Sequence, residues 1–472
     1  MRLALWIHLA LVAIGLPNLS HGAERPPNIV FLLADDLGWT GLGCFGSDFY
    51  ETPHLDALAA SGLRFSNAYA ACTVCSPTRA SIMTGMYPAR LHLTDFIAGQ
   101  LQPFAKLRVP EWRKYLPTEQ ITIAEVLRDA GYRTAHIGKW HLSPRGEVVA
   151  GTEPTDQGFD VSHSQPPGTK GYFLPQDSLS QNGTNYLTDY LTDKACQFIR
   201  DSQSEPLFLY FGYNVPHTPI QGREDLVKYF TAKVNPEAIH NNPTYAAMVA
   251  SLDESVGRLV KELEEANLIE NTVIIFTSDN GGLTERNGKH DGFTENLPLR
   301  RGKGSAYEGG VRVPTIVRWP GVTPSNQVCH EPVMTIDYFS TIAEISGASH
   351  SLTPDGKSLV PLLRDPSHTL DRSLYWHYPH YHAGGDSPYS AIRRGDFRLI
   401  EFHEDHRVEL YNLATDIGEQ IDLAEAKPRV TQGLLDELHA WRASVGAQMP
   451  SANPDYDPAR VEQSGRGRKG AR

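Results

Sequence analysis

Short unbroken apolar runs alternate along this chain with longer segments whose apolar positions recur at helical spacing. Asn28-Ile-Val-Phe-Leu-Leu-Ala34, Leu207-Phe-Leu-Tyr-Phe211 and Thr272-Val-Ile-Ile-Phe-Thr277 are of the first kind. A strand with no polar side is buried on both faces, which is the habit of a parallel sheet covered by helices. Leu63–Tyr69 and Tyr132–Ile137 are further strands, and Pro53–Ser61 is a helix closed by Gly62. Thr122 caps a helix with Ile123, Val126, Leu127 and Ala130 on one face, and Gly131 stops it. Tyr245, Met248, Val249, Leu252, Val256, Leu259, Val260 and Leu263 form the stripe of a long amphipathic helix. This alternation predicts an α/β fold, a large mostly parallel sheet sandwiched by helices, over residues 24–355. Near residue 355 the texture changes. Strands within Ser390–Glu401 and Arg407–Leu413, then a helix over Val430–Ala443, predict a smaller C-terminal α+β subdomain over 356–450 with an antiparallel sheet. The polar tail 451–472, rich in Pro, Gly and Arg, is predicted to be disordered.

The N-terminus changes where the protein is expected to work. Arg2, an apolar core over Leu3–Leu16 and Ser20-His21-Gly22 form a secretory signal over residues 1–22. The apolar run is too short for an ordinary membrane span. An exported protein, periplasmic or secreted, with no stable span after cleavage is the expectation. The net charge of −12 argues against a general nucleic-acid binder. Five cysteines (44, 72, 75, 196 and 329) are too few for a disulfide scaffold, and their odd number leaves at least one unpaired or chemically changed.

Polar residues gather where the buried strands end. Asp35-Asp36 follows the first, and Asp279-Asn280 follows the Thr272 strand. Open α/β sheets build sites outside the carboxyl ends of their strands. Three carboxylates and an amide brought together there would repel one another without a cation, and oxygen ligands select Ca²⁺ or Mg²⁺. Lys139 and His141 follow another strand, two apart, and a neighbouring Lys lowers the pKa of a His. Alone, each acidic pair reads as an ordinary turn or helix cap, the Lys139/His141 pair as an exposed strand end, His217 as polar loop surface and Lys303 as part of a flexible basic loop.

Cys72-Thr-Val-Cys75 is a CxxC before a helix start, the setting of a thiol–disulfide exchanger. That chemistry has no use for acidic strand ends or the Lys/His set. No second pair completes a zinc site. Cys75-Ser-Pro-Thr-Arg79 followed by Met83-Thr-Gly85 instead resembles the signature of type I sulfatases, arylsulfatase-like members of the alkaline phosphatase superfamily. In that family Cys-x-Pro-Ser/Ala/Thr-Arg with a later Thr-Gly marks a cysteine converted to formylglycine. The resemblance extends over most of the mature chain. Ile29–Gly38 is similar to the family's first metal motif, His136–Leu142 to its sulfate-binding strand end and Thr277–Gly282 to its second metal motif. Gly302–Gly310 is similar to its lysine loop, and Glu409–Leu413 with Asp422-Leu-Ala424 to its C-terminal subdomain.

The resemblance implies roles position by position. Asp35, Asp36, Asp279, Asn280 and an oxygen of modified residue 75 would hold the ion, Ca²⁺ in most of the family, with Mg²⁺ the alternative. The hydrated aldehyde at 75 would be the nucleophile. Arg79, Lys139 and Lys303 would offset charge on the sulfuryl oxygens. His217, with Lys303, would protonate the leaving alcohol, and His141 would take the proton that lets sulfate leave. A formylglycine-generating enzyme is the implied maturation partner. A carbohydrate sulfate, from a sulfated polysaccharide or glycosaminoglycan fragment, is the implied substrate, with aryl sulfates as surrogates. Ser162, His163 and Ser164 align with no family position. Trp376-His-Tyr-Pro-His-Tyr-His382 suits either a sugar-binding face or a packed strand. A phosphate or phosphonate monoester hydrolase on the same scaffold and a non-catalytic glycan-binding protein are the competing readings.

Overall fold

Strand β1 (Asn28–Ala34) is buried along its whole length, and its side chains alternate between two cores. Val30 and Leu32 enter one, Ile29, Phe31 and Leu33 the other. The computed structural model describes residues 25–461, apart from 176, 177, 182, 287, 288 and 291, together with 465–466. The expected export signal over residues 1–22 lies outside the described residues. The first core packs against helices α1 (Pro53–Ala60), α4 (Leu187–Asp201) and α5 (Pro243–Glu265). The second packs against α2 (Cys75–Thr84), α3 (Ile123–Asp129) and α6 (Asp337–Ser346). Helix α3 begins with the expected Thr122 cap: Thr122 N–H donates to Glu125 Oε2 at 2.7 Å, and Glu125 N–H to Thr122 Oγ1 at 3.2 Å.

The other strands of this sheet are β2 (Leu63–Phe65), β3 (Arg133–Gly138), β4 (Val161–His163), β5 (Leu207–Gly212), β6 (Thr272–Ser278), β7 (Thr315–Arg318) and β8 (Gln327–Cys329). Their order is β8-β2-β7-β6-β1-β5-β3-β4. Strand β1 runs parallel to β5 and β6, with Leu32 opposite Phe211 and Phe276. Strand β7 is antiparallel to both β2 and β6, so the sheet is mostly parallel with one reversed member. The strand expected over Leu63–Tyr69 is broken: Ala68–Tyr69 leaves the sheet and pairs with Val333–Met334.

A second sheet of β9 (Ser373–Tyr378), β10 (Tyr389–Arg394), β11 (Phe397–Phe402) and β12 (Val408–Asn412) is antiparallel throughout, as expected. The single strand expected within Ser390–Glu401 is a hairpin, turned at Gly395 with φ 56°. Helix α7 (Pro428–Ser444) covers this sheet, and both share a core with Tyr69, Val74, Ala306 and Tyr307 from the first part of the chain. Of the tail expected to be disordered from residue 451, Ser451–Ala452 pairs antiparallel with Leu107–Arg108, while 462–464 and 467–472 lie outside the described residues. Among the described residues no helix is long and apolar enough to cross a membrane.

Candidate active site

Strands β1, β3, β5 and β6 run the same way, so their carboxyl ends meet at one edge of the sheet. Asp35-Asp36 leaves β1, Lys139 and His141 follow β3, His217 follows β5 and Asp279-Asn280 leaves β6. The backbone turns sharply to bring these side chains inward. Asp36 has φ 65° and His141 φ 61°. Asp36 is held there by its N–H donating to Asp279 Oδ1 at 3.2 Å, and its carbonyl accepts from the Tyr245 hydroxyl at 3.1 Å. Leu37 N–H donates to Ser278 Oγ at 3.0 Å. Gly138 lies so close to β5 that an added Cβ would sit 2.1 Å from Gly212 O. Sequence reading missed Tyr245 and Ser278 because neither carries a local signal of its task.

Carboxylates and cations interlock in this edge. Lys139 Nζ donates to both oxygens of Asp35, at 2.8 and 2.6 Å. Lys303 Nζ does the same to Asp36, at 2.6 and 2.8 Å. Arg79 is wholly buried; its Nε donates to Asp279 Oδ2 at 2.9 Å and its Nη1 to the Lys139 carbonyl at 2.7 Å. It therefore stands behind Asp279, adding its charge from the protein side. Burial pushes the Asp35 carboxyl up, but Lys139, His217, Arg79 and Lys303 outweigh it and hold Asp35 far below the usual carboxylate range. Burial and the Asp35 charge raise Asp279 to about 6, against Arg79 and Lys139.

Cys75 opens α2 after an extended Val74, and every residue of that helix is buried. Ligand atoms of Asp35, Cys75 and Asp279 lie within 4.8 Å of one another, and so do those of Asp35, Asp36 and His217. Asn280 Nδ2 donates to Asp36 Oδ1 at 2.8 Å, while its buried Oδ1 meets no donor. An acceptor without a donor, beside three carboxylates, fits a hard divalent cation. Cys72 and Cys75 are both free thiols, and burial raises both above the ordinary thiol pKa. A redox pair needs the opposite shift, so the exchanger reading loses its support. Cys72 has a structural place: its N–H donates to Thr78 Oγ1 at 3.2 Å and its carbonyl accepts from that hydroxyl at 3.1 Å.

The two histidines are held in defined tautomers. His141 Nε2 faces the Ile97 carbonyl at 2.6 Å, so that nitrogen carries the proton and the buried Nδ1, without a partner, keeps its lone pair. Burial and Lys139 push its pKa well below 6.5. His217 Nδ1 donates to the Thr218 carbonyl at 2.6 Å, leaving Nε2 facing Asp36 Oδ2 at 3.7 Å. The His217 side chain is 32% exposed and that of Lys139 14%, so the cluster opens to solvent on their side.

Other motifs resolve into support. Ser162 Oγ bonds His136 Nδ1 at 3.0 Å, tying β4 to β3. Trp376, His377, Tyr378 and His380 are buried: Trp376 Nε1 donates to the Ala70 carbonyl at 2.9 Å, and the Tyr378 hydroxyl donates to Asp95 Oδ1 at 2.8 Å. Packing is thus the work of that stretch, apart from half-buried Tyr381 and His382 at its end.

Comparison with known proteins agrees with this geometry. A family model described as Sulfatase matches residues 27–348, and one described as N-sulphoglucosamine sulphohydrolase, C-terminal, matches residues 302–443. The chain is 34% identical to a sulfatase of Formosa agariphila over 89% of each chain. It is 32% identical to arylsulfatase A of Homo sapiens over 90% of this chain and 89% of that one. Among solved structures, Ps i-CgsB in complex with k-i-k-neocarrahexaose is similar at 29% identity and a TM-score of 0.74, covering 92% of this chain and 96% of that one.

Proposed function

The chain belongs to the type I sulfatases of the alkaline phosphatase superfamily and is a sulfuric ester hydrolase, and from that premise we propose that it cleaves sulfate monoesters of carbohydrate through a formylglycine made from Cys75 beside a bound divalent cation. The place of Cys75 carries this reading. It stands at a helix start, among Asp35 and Asp279, with its thiol raised by burial, where a thiolate nucleophile is disfavoured. Formylglycine there would supply a hydrated aldehyde, a nucleophile with a second hydroxyl through which sulfate can be released. Asp35, Asp36, Asp279, Asn280 and an oxygen on residue 75 would hold Ca²⁺ or Mg²⁺, which supplies Lewis-acid stabilisation of charge on the sulfuryl group.

The remaining chemistry falls to side chains of this chain. Lys139 and Lys303 bring ammonium groups to the cluster, and Arg79 fixes Asp279 while adding a third positive charge. Preorganised cations of this kind stabilise charge that grows on the sulfuryl oxygens during transfer. His141 is neutral at pH 7 and accepts a proton at Nδ1, its tautomer fixed by the Ile97 carbonyl. With Nδ1–H given to the Thr218 carbonyl, His217 carries a proton on Nε2 only as the imidazolium, which burial disfavours and the facing Asp36 carboxylate favours; in that form it delivers the Nε2 proton to the leaving alcohol, with Lys303 as a second donor.

Carbohydrate is favoured because a similar protein, Ps i-CgsB, was solved with k-i-k-neocarrahexaose. We place the protein in the periplasm or outside the cell after removal of residues 1–22, matured by a formylglycine-generating enzyme, with a catalytic part over 24–355 and a C-terminal subdomain over 356–450. Mass spectrometry of the tryptic peptide 65–79 from protein made in its exported compartment tests the nucleophile. Formylglycine at 75 with turnover of sulfate but not phosphate esters is the expected result. Unmodified cysteine in active protein overturns it, and preference for phosphate esters favours the phosphoesterase reading.

A further inference from the structure

Lys303 sits on a loop gripped from the C-terminal sheet. The connection from β9 to β10 carries His382-Ala-Gly-Gly-Asp386, and this turn lies directly on the lysine loop. Asp386 Oδ1 accepts from Arg301 Nη1 at 2.8 Å, and its Oδ2 accepts from the Ala306 N–H at 3.1 Å. One carboxylate thus holds the loop on both sides of Lys303. The approach is as close as backbone allows: a Cβ on Gly385 would sit 1.7 Å from Gly304 O. Gly304 has φ +86°, and a Cβ there would sit 1.9 Å from His382 Nδ1. On its inner side the loop is tied to the site itself. Lys303 N–H donates to the Gly282 carbonyl and Gly304 N–H to the Thr73 carbonyl, each at 3.0 Å.

We propose that Asp386 is a positioning residue for Lys303, holding the lysine loop so that the ammonium reaches the sulfate site. The inference rests on the role given to Lys303 above. An ammonium on a four-carbon stem has many rotamers; its backbone anchor sets where it can reach, and the two bonds to Asp36 hold it only if that anchor is in place. The Arg301 carbonyl also accepts from Asn296 Nδ2 at 2.9 Å and the Ser305 carbonyl from the Tyr389 hydroxyl at 3.2 Å, all neutral hydrogen bonds. Asp386 adds the charged pair, together with a bond to the Ala306 N–H, and its side chain is only 12% exposed.

A double-mutant cycle on aryl sulfate turnover, with rates expressed per mole of formylglycine, tests this. Asp386→Ala is expected to lower kcat/KM about 10- to 100-fold, mostly in kcat. The same substitution in a Lys303→Ala background is expected to change the rate little, because it acts through that lysine. Asp386→Asn keeps an acceptor for Ala306 N–H and should recover part of the loss. Arg301→Gln removes the same ion pair from the partly exposed side, and should reproduce part of it in a variant that folds. Equal losses from Asp386→Ala in both backgrounds would make Asp386 merely structural and overturn the inference. Full activity in Asp386→Ala beside an impaired Lys303→Ala overturns it while sparing the role of Lys303. Full activity in Lys303→Ala removes the reading on which both depend.

Discussion

Two buried clusters of opposite charges lie close together in this protein, and they are built differently. The site joins Asp35, Asp36 and Asp279 to Arg79, Lys139 and Lys303. The junction between the two sheets joins Glu308 and Glu419 to Arg312 and Arg398, with Tyr69 and Arg393 beside them. Every cation of the junction is an arginine with bonds to spare. Arg398 Nη2 donates to the Ala306 carbonyl at 2.6 Å and Arg312 Nη2 to the Ser66 carbonyl at 2.7 Å. Its two atoms without a hydrogen bond, Arg398 Nε and Glu419 Oε1, face each other at 3.4 Å. The site instead adds two lysines to its one arginine, keeps a left-handed Asp36, opens toward His217, and leaves Asn280 Oδ1 and His141 Nδ1 without partners. Burial and charge alone do not separate a structural network from a chemical one. The difference here lies in which bonds are unfinished: the junction's two unbonded atoms face each other, whereas Asn280 Oδ1 and His141 Nδ1 meet no partner.

The largest expected effect breaks the site without touching the junction. Cys75→Ala should lower turnover of an aryl sulfate by about 10⁴-fold or more, while urea denaturation changes little. A variant that keeps even a tenth of the activity would show that residue 75 is not the nucleophile.

Removing the ion separates the clusters next. Stripping the protein with a chelator should cost about 100-fold or more in activity, restored by Ca²⁺ or Mg²⁺. Calorimetry supplies a second readout: the ion should raise the melting temperature of stripped protein, as any ligand of the folded state does. Asn280→Ala should weaken that rise, because it deletes the acceptor that no protein donor satisfies. An equal rise in the variant would place the ion elsewhere.

Arg398→Met breaks the junction instead. It leaves Glu308 buried without its 2.9 Å partner, which should destabilise the fold by about 3–5 kcal/mol. A loss below about 1 kcal/mol in urea denaturation would reduce the network to the weight of a surface pair.

Most of the candidate cluster was legible because its residues follow long apolar strands, where a parallel sheet delivers them to one edge. Asp35, Asp36, Asp279 and Asn280 needed only the strand ends, and Cys75 and Lys303 needed the motifs around them. What stayed hidden depends on contacts between distant segments. Asp386 lies in a Gly-rich turn with no periodicity, and its meaning comes from the 2.8 Å contact to Arg301. Trp376-His-Tyr378 has the look of a ligand face, yet the residues are consumed by Ala70, Ser390 and Asp95. The reversed strand β7 also escaped, since four residues with only two apolar side chains, Thr315-Ile-Val-Arg318, are too short to show either a strand or its direction.

The smallest effect concerns a proton. Burial pushes the Glu419 carboxyl up, Arg398 pulls it down, and the charge of Glu308 helps raise it to about 8. A carboxyl whose folded pKa exceeds its unfolded value contributes stability that is complete below the unfolded value and lost as pH rises through the folded one. The window therefore runs from about 4.5 to about 8. Glu419→Gln removes the titration but keeps an acceptor for the Glu308 N–H. Relative to wild type, this variant should gain stability as pH rises through the window, by up to about 1.4 kcal/mol per unit. Asp279 is raised in the same direction at the site, but an ion bound there would hold it ionised, so Ca²⁺ should move its titration and leave that of Glu419 in place. A pH profile of the stability difference that shifts with Ca²⁺ would mean that the two clusters are coupled through the lysine loop. A profile indifferent to the ion would mean that the junction only carries the site.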